Sequence, residues 1–243
     1  MFFKRQQPLR PIFGKIEVFA RHCFSSKISS HKERPPGFSQ EKCFRNLLTT
    51  IDRSKANLTC LLDTPPDVPH FLDACDDPVI RFERGSEAGA FLYLLDTIAA
   101  LSLHPDTLVY IVEDDYLHRA GWTDVLLEAF TLEGGDYATL YDHRDKYFDP
   151  MYRKLSSKLF STKSCHWRTT PSTTNTFAVR FQTLLDDLNI QRRYSLNRTI
   201  SEDHQKFIAL QKKGRRLISS VPGFSTHAEP KFASPCTDWA ALL

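Results

Sequence analysis

Three acids stand in a row at Glu113, Asp114 and Asp115, directly behind five unbroken apolar residues, Leu108 to Val112. Such a short apolar run predicts a strand covered on both faces, as in a parallel sheet. Open α/β sheets bind their ligands at the carboxyl ends of strands of this kind. Adjacent carboxylates repel one another, so a bound cation is the simplest partner that would hold them together. Oxygen ligands of this type suit hard divalent cations, Mg²⁺ or Mn²⁺. A solvated acidic turn is the plain alternative for any acidic triplet. The buried strand ahead of this one favours a site.

Two further stretches carry chemistry of a weaker kind. Glu83 to Ala90 (Glu-Arg-Gly-Ser-Glu-Ala-Gly-Ala) joins a short strand to a helix that Ser86 is placed to cap. Its glycines permit close approach of backbone to ligand, and a helix amino terminus favours an anion, with Arg84 adding positive charge. Turns of this composition also occur for geometry alone. Ser201-Glu202-Asp203-His204 opens a later helix, with Ser201 as the expected cap. Acids in a first turn are favoured by the helix dipole, which is a sufficient structural reason for Glu202 and Asp203.

The elements that position these residues alternate along the chain. Lys15 to Ala20 reads as a first strand closed by Arg21 and His22, then a Ser-, Pro- and Lys-rich loop over residues 25–40. Ser39 caps a helix bearing Phe44, Leu47, Leu48 and Ile51. Asn57 to Leu62 is a second strand and Val79 to Phe82 a third. A helix bearing Phe91, Leu94, Leu95 and Ile98 leads into the strand at 108–112. This order predicts an α/β fold, a mostly parallel sheet with helices on its faces. Further on, a helix runs from Trp122 to about Leu132, and strands are expected at Tyr137 to Tyr141, Ser172 to Val179 and Arg215 to Val221. Residues 148–171 show no clear period, and a long irregular insert is more often functional than idle.

Bulk properties bound the rest. A chain of 243 residues is expected to form one domain, with residues 1–14 as a flexible amino-terminal segment. A net charge of +3 is too weak to argue for nucleic-acid binding. The six cysteines form no C-x-x-C pair and no zinc spacing, which points to reduced thiols and a cytoplasmic protein. No stretch approaches a membrane span. The Phe2, Phe3, Lys4, Arg5 cluster leaves peripheral membrane contact open.

Taken in order, these pieces resemble a family. Val109 to His118 with Gly121-Trp122, Asp136 to His143, Ser172 to Ala178, Ser201 to His204 and Pro222 to His227 together resemble small nucleotide-sugar glycosyltransferases of the GT-A fold. The likeness is to compact bacterial and viral members, including the first domain of a chlorella-virus glycosyltransferase, and spans roughly residues 15–239. It implies a nucleoside-diphosphate-sugar donor, a glycan or glycoconjugate acceptor, and Mn²⁺ or Mg²⁺ as cofactor. The family's D-x-D motif stands here as Glu113-Asp114-Asp115, with Glu in place of the first aspartate. The resemblance implies that Asp115 binds the cation, that His227 is a further ligand, and that Glu113 or Asp114 faces the ribose or sugar of the donor. Arg21 and Arg84 would act as electrostatic clamps on the diphosphate. An inverting transfer needs a base for the acceptor hydroxyl, which points to Asp203, with Glu202 in reserve.

Two rival classes remain. A metal-dependent phosphohydrolase or nucleotidyltransferase also uses carboxylates at strand ends, but is expected to bring further clustered acids for a second metal. A non-catalytic nucleotide-sugar-binding protein would use the same fold without turnover.

Overall fold

The computed structural model describes residues 11–24 and 31–243. The amino-terminal Phe2–Arg5 cluster and part of the loop expected at 25–40 lie outside these residues. Of the segment expected to be flexible, Phe13 donates its backbone N–H to the Asp106 carbonyl at 3.3 Å and stacks its ring on His104.

The apolar run beneath the acidic triplet is β4, Leu108–Glu113, and it lies at the heart of a nine-stranded sheet. On one side it pairs in parallel with β1, Ile16–Cys23, which pairs with β2, Ala56–Asp63, and through it with the edge strand β3, Val79–Phe82. On the other side β9, Phe177–Arg180, runs antiparallel between β4 and β6, Tyr137–Thr139. Next comes β10, Leu217–Val221, parallel to β6. A hairpin of β7, Leu159–Ser161, and β8, His166–Thr169, closes the far edge. Only β8 and β9 oppose the common direction, so the sheet is mixed but mostly parallel.

Side chains alternate between the two faces of each strand, and the core divides accordingly. Ile16, Val18, Leu58, Cys60, Tyr110 and Val112 pack on one face against α1, Gln40–Thr50, and α3, Trp122–Ala129. Phe19, Leu61, Val109, Ile111 and Phe177 pack on the other against α2, Glu87–Ala99, α5, Phe181–Arg193, and α6, Asp203–Lys212. Helices thus cover both faces, as the alternating pattern predicts. Ser39 and Ser86 cap α1 and α2 through Lys42 N and Gly89 N, both at 3.1 Å. A cap is worth about 1 kcal/mol. Burying Phe91, Leu94, Leu95 and Ile98 is worth roughly 1.5–3 kcal/mol each, so packing dominates the placement of α2.

Several expectations shift. β1 continues through Arg21 and His22 because both are paired in register with β2 and, at Arg21, with Glu113 of β4. The strand expected at 172–179 joins the ladder only from Phe177; ahead of it the side chains of Thr173 to Thr176 hydrogen-bond with Thr139, Tyr116, Glu87 and Glu113. Ser201 does not cap α6. Glu202 occupies that position without a side-chain cap, while the Ser201 hydroxyl meets Ser195 at 2.8 Å. A short helix, α4, Asp145–Phe148, leads into the irregular insert, which holds a single helical turn at Pro150–Tyr152 and the β7–β8 hairpin. A small second ladder had no sequence signal: β5, Tyr116–His118, pairs antiparallel with β11, Ser225–His227. The chain reaches β11 through Pro222-Gly223. A Cβ on Gly223 would stand 2.5 Å from the Ser234 hydroxyl and 2.7 Å from its Cβ, so only glycine fits there.

Candidate active site

The acidic triplet sits where β4 ends and the chain turns into β5, and its three carboxylates diverge. Glu113 shares the face of Ile111, towards α2 and α6; Asp114 lies in the turn and meets α1; Asp115 follows it in the turn. Like charges are thereby separated, and each carboxylate meets its own partners.

Glu113 accepts from Arg21 Nη2 at 2.8 Å and from the Thr176 hydroxyl at 3.4 Å. Burial pushes its pKa up to about 7 against the pull of Arg21, with Asp115 and Glu87 adding to the rise. Arg21 is itself buried and donates on its other side to Glu87 Oε1 at 3.1 Å. Its charge is therefore shared between two carboxylates of the site. Asp114 accepts from Gln40 Nε2 at 2.6 Å and from Cys23 N at 3.2 Å, tying the end of β4 to the start of α1. Burial and then the neighbouring Asp115 push its pKa up to about 7 as well.

Asp115 has the most cationic surroundings. Its Oδ2 lies 2.8 Å from His227 Nε2, 2.8 Å from Arg34 Nη2 and 3.8 Å from Lys32 Nζ. Burial works to raise its pKa, but His227, Lys32 and Arg34 outweigh it and hold the carboxyl well below the usual range. The ladder between β5 and β11 sets His227 opposite Tyr116, one residue beyond Asp115, and the Ala228 N–H donates to the Asp115 carbonyl at 2.7 Å. The expected pair of metal ligands is thus brought into contact. Separation of one carboxylate oxygen and one imidazole nitrogen by 2.8 Å is compatible with two neighbouring positions around a single divalent ion. Among the described residues no group of three His, Cys, Asp or Glu forms around a common point here, although Glu229 meets the other ring nitrogen of His227, Nδ1, at 3.4 Å. That donor set fits a cation of the Mg²⁺ or Mn²⁺ kind, which is commonly held by one or two protein groups and completed by substrate phosphates and water.

Arg84 does not join this group. It follows the edge strand β3, three strands from β4, or about 14 Å by ordinary strand spacing. Its side chain is exposed and lies over the Tyr93 ring. The amides of Arg84 and Gly85 donate to the Asp63 carboxylate, at 2.7 Å and 3.0 Å, so these donors of the glycine turn are already engaged.

Of the two acids opening α6, Asp203 faces the site and Glu202 does not. Glu202 pairs outward with Arg198 at 2.8 Å. Asp203 accepts from Lys206 Nζ at 3.1 Å, and its charge contributes to the rise of Glu113. Sequence reasoning missed Glu87, Asn175, Lys206, Gln40, Lys32 and Arg34. For Lys206 a signal was present, since Asp203, Lys206 and Leu210 share one helix face at i, i+3 and i+7. For Lys32 and Arg34, in an irregular stretch, none was.

No protein-family model matches the chain, and no curated protein matches it. Among solved structures it is similar to a CMP:2-keto-3-deoxy-manno-octonic acid synthetase complexed with CTP. The TM-score is 0.50 at 12% identity, over 89% of this chain and 94% of that one. At so low an identity the likeness speaks to the fold alone, and the fold is the GT-A type of α/β sheet.

Proposed function

We propose that the chain is a metal-dependent glycosyltransferase, moving a sugar from a nucleoside-diphosphate-sugar donor to an acceptor hydroxyl of a glycan or other glycoconjugate. The observation that carries this reading is the meeting of Asp115 and His227, 2.8 Å apart, at the carboxyl end of the central strand. Asp115 and His227 would hold Mn²⁺ or Mg²⁺, which as a Lewis acid offsets the charge developing on the departing diphosphate. Arg34 and Lys32 flank the same carboxylate and supply further positive charge to an anion arriving there. Glu113, oriented by Arg21, and Asp114, oriented by Gln40, would bind hydroxyls of the ribose or sugar from opposite faces of the strand end.

In an inverting transfer Asp203 takes the proton of the acceptor hydroxyl as its oxygen bonds to the anomeric carbon. The bond from that carbon to the diphosphate oxygen breaks, and the nucleoside diphosphate leaves with the electron pair. Asp203 suits this role because it opens α6 on the face that bears Glu113 and Arg21, whereas Glu202 is paired away from them.

A nucleotidyltransferase is the second reading, favoured by the solved neighbour, a synthetase of a CMP-linked sugar acid bound to CTP. Against it stands the acid census. Such an enzyme is expected to gather acids for a second metal, and the described residues hold no cluster of three metal-binding side chains.

A panel of UDP-glucose, UDP-galactose, GDP-mannose, GDP-fucose and CTP, each with and without Mn²⁺, separates the readings. Release or transfer of the sugar with formation of nucleoside diphosphate supports the transferase. Pyrophosphate release from CTP in the presence of a sugar acid supports the nucleotidyltransferase. Binding without turnover of any member leaves a nucleotide-sugar-binding protein.

A further inference from the structure

Lys206 is fully buried, yet it lies on the first turns of α6 beside the proposed base. Its ammonium donates to Asp203 Oδ1 at 3.1 Å and to Asn175 Oδ1, and stands 4.4 Å above the centre of the Phe91 ring. Phe177 and Phe207 close the aromatic surround at 5.6 and 5.5 Å. An i, i+3 ion pair on a helix is worth only about 0.2–0.5 kcal/mol. Removing an ammonium from water costs several kcal/mol. Fold stability is therefore a poor explanation for a lysine here, and an apolar residue would pack against the same three rings.

The contacts continue beyond Lys206. Asn175 Nδ2 donates to Glu87 Oε1 at 2.8 Å, Arg21 donates to the same oxygen at 3.1 Å, and Arg21 donates to Glu113 at 2.8 Å. Asp203, Lys206, Asn175, Glu87, Arg21 and Glu113 thus form one unbroken chain of contacts from α6 to the acidic triplet. Three carboxylates are set against two cations, so with all three ionised the cluster carries one negative charge in excess.

We infer that Lys206 is the positioning residue of the base, fixing the Asp203 carboxylate in one orientation and keeping it ionised, with Asn175 holding the ammonium in place. This rests on the reading of Asp203 as base. The charged groups acting on Asp203 are Lys206 on its own helix, Glu87 at the start of α2, Arg21 on β1 and Glu113 on β4. Burial raises the pKa of Asp203; Lys206 opposes it, Glu87 adds to it, and Arg21 lowers it. Lys206 and Glu87 therefore act on one carboxylate with opposite sign.

The test is a ¹³C NMR titration of protein labelled at the aspartate carboxyl carbons, with the Asp203 signal assigned by its loss in Asp203→Asn. Lys206→Met is expected to move the Asp203 titration up by about one pH unit or more, and Glu87→Gln to move it down. Where Lys206→Met does not fold, Lys206→Gln, which keeps a hydrogen-bond donor, is expected to move it up by the same reasoning. A titration unchanged in the folded Lys206 variant, or one moving in the same direction in the Lys206 and Glu87 variants, overturns the inference. The acid limb of kcat/KM, followed with whichever panel donor turns over, is expected to move with the NMR titration. If the titration shifts as described while the limb stays fixed and Asp203→Asn keeps full turnover, the assignment of Asp203 as base fails instead.

Discussion

His227 Nε2 stands 2.8 Å from Asp115 Oδ2 although 112 residues separate the two in the chain. The contact follows from a short ladder in which His227 faces Tyr116, so the pairing of three residues of β11 with three of β5 assembles the proposed cation site. Thermal melts with Mn²⁺ test it. A ligand present at about a hundred times its Kd stabilises the native state by about 2.7 kcal/mol. Asp115→Ala is expected to lose that stabilisation, and His227→Ala to weaken Mn²⁺ by about tenfold or more, the equivalent of 1.4 kcal/mol. An unchanged Mn²⁺ titration in Asp115→Ala would remove the site.

Arg34 and Lys32 share the oxygen that would take the metal. In the absence of donor they compete with Mn²⁺ for it. A hydrogen bond to a charged group is worth about 1.5–3 kcal/mol, and the partial exposure of Arg34 puts it at the lower end. Arg34→Gln is therefore expected to tighten Mn²⁺ by about tenfold, measured by calorimetry or by the spin-resonance signal of free Mn²⁺. Affinity that falls or stays level would mean that Arg34 does not oppose the metal.

The two acids at the start of α6 are expected to part company on mutation. Asp203→Asn should lower turnover by about 10²–10⁴-fold, the usual contribution of a general base, while donor affinity stays within about twofold. Glu202→Gln, whose parent carboxylate pairs outward with Arg198, should change turnover by less than about threefold, since exposed ion pairs contribute little. Equal losses from both variants would point to damage of the helix start rather than loss of a base.

Stability should fall in acid through two buried histidines. Burial, with His70 adding to it, pushes His22 down to about 3, and burial alone takes His118 to the same level. An unfolded histidine titrates near 6.5, so between these values the unfolded chain binds a proton that the fold refuses. The contribution is complete above about pH 6.5 and is lost as pH falls towards 3, at about 1.4 kcal/mol per unit for each ring. Glu113 and Asp114, raised to about 7, act in the opposite sense, their contribution being lost as pH rises through that value. Comparing wild type with His22→Leu cancels them. From pH 7 to pH 5 the variant is expected to lose roughly 1.5–2 kcal/mol less than wild type in urea unfolding. Equal losses would show that His22 accepts its proton without unfolding.

Much of the scaffold was legible because its signals are local. The unbroken apolar run at 108–112, the serine caps at 39 and 86, and the alternation of strands and helices each depend on residues close in sequence. The parting of the acids was not legible: Glu113 ends β4 beside Arg21, while Asp114 already lies in the turn and meets Gln40 of α1. Less legible were residues whose partners come from afar. Arg21 ends beside Glu87 and Glu113, and the polar run from Ser172 to Thr176 supplies Asn175 and Thr176 to that cluster instead of extending a strand. Arg84 shows the converse: its turn has the composition of an anion site, but the edge position of β3 and the carboxylate of Asp63 take it out of the group.

By itself the sequence determined the α/β class, the strand that ends in three acids, and the residue types available for chemistry there. Periodicity and apolar runs encode these, and both act over a few residues. The tertiary structure decided which of those residues meet. Contacts such as Asp115 with His227, or Lys206 with Asn175, depend on ladder register and on which faces the sheet buries. Those are set by the packing of the whole chain, and no local spacing records them.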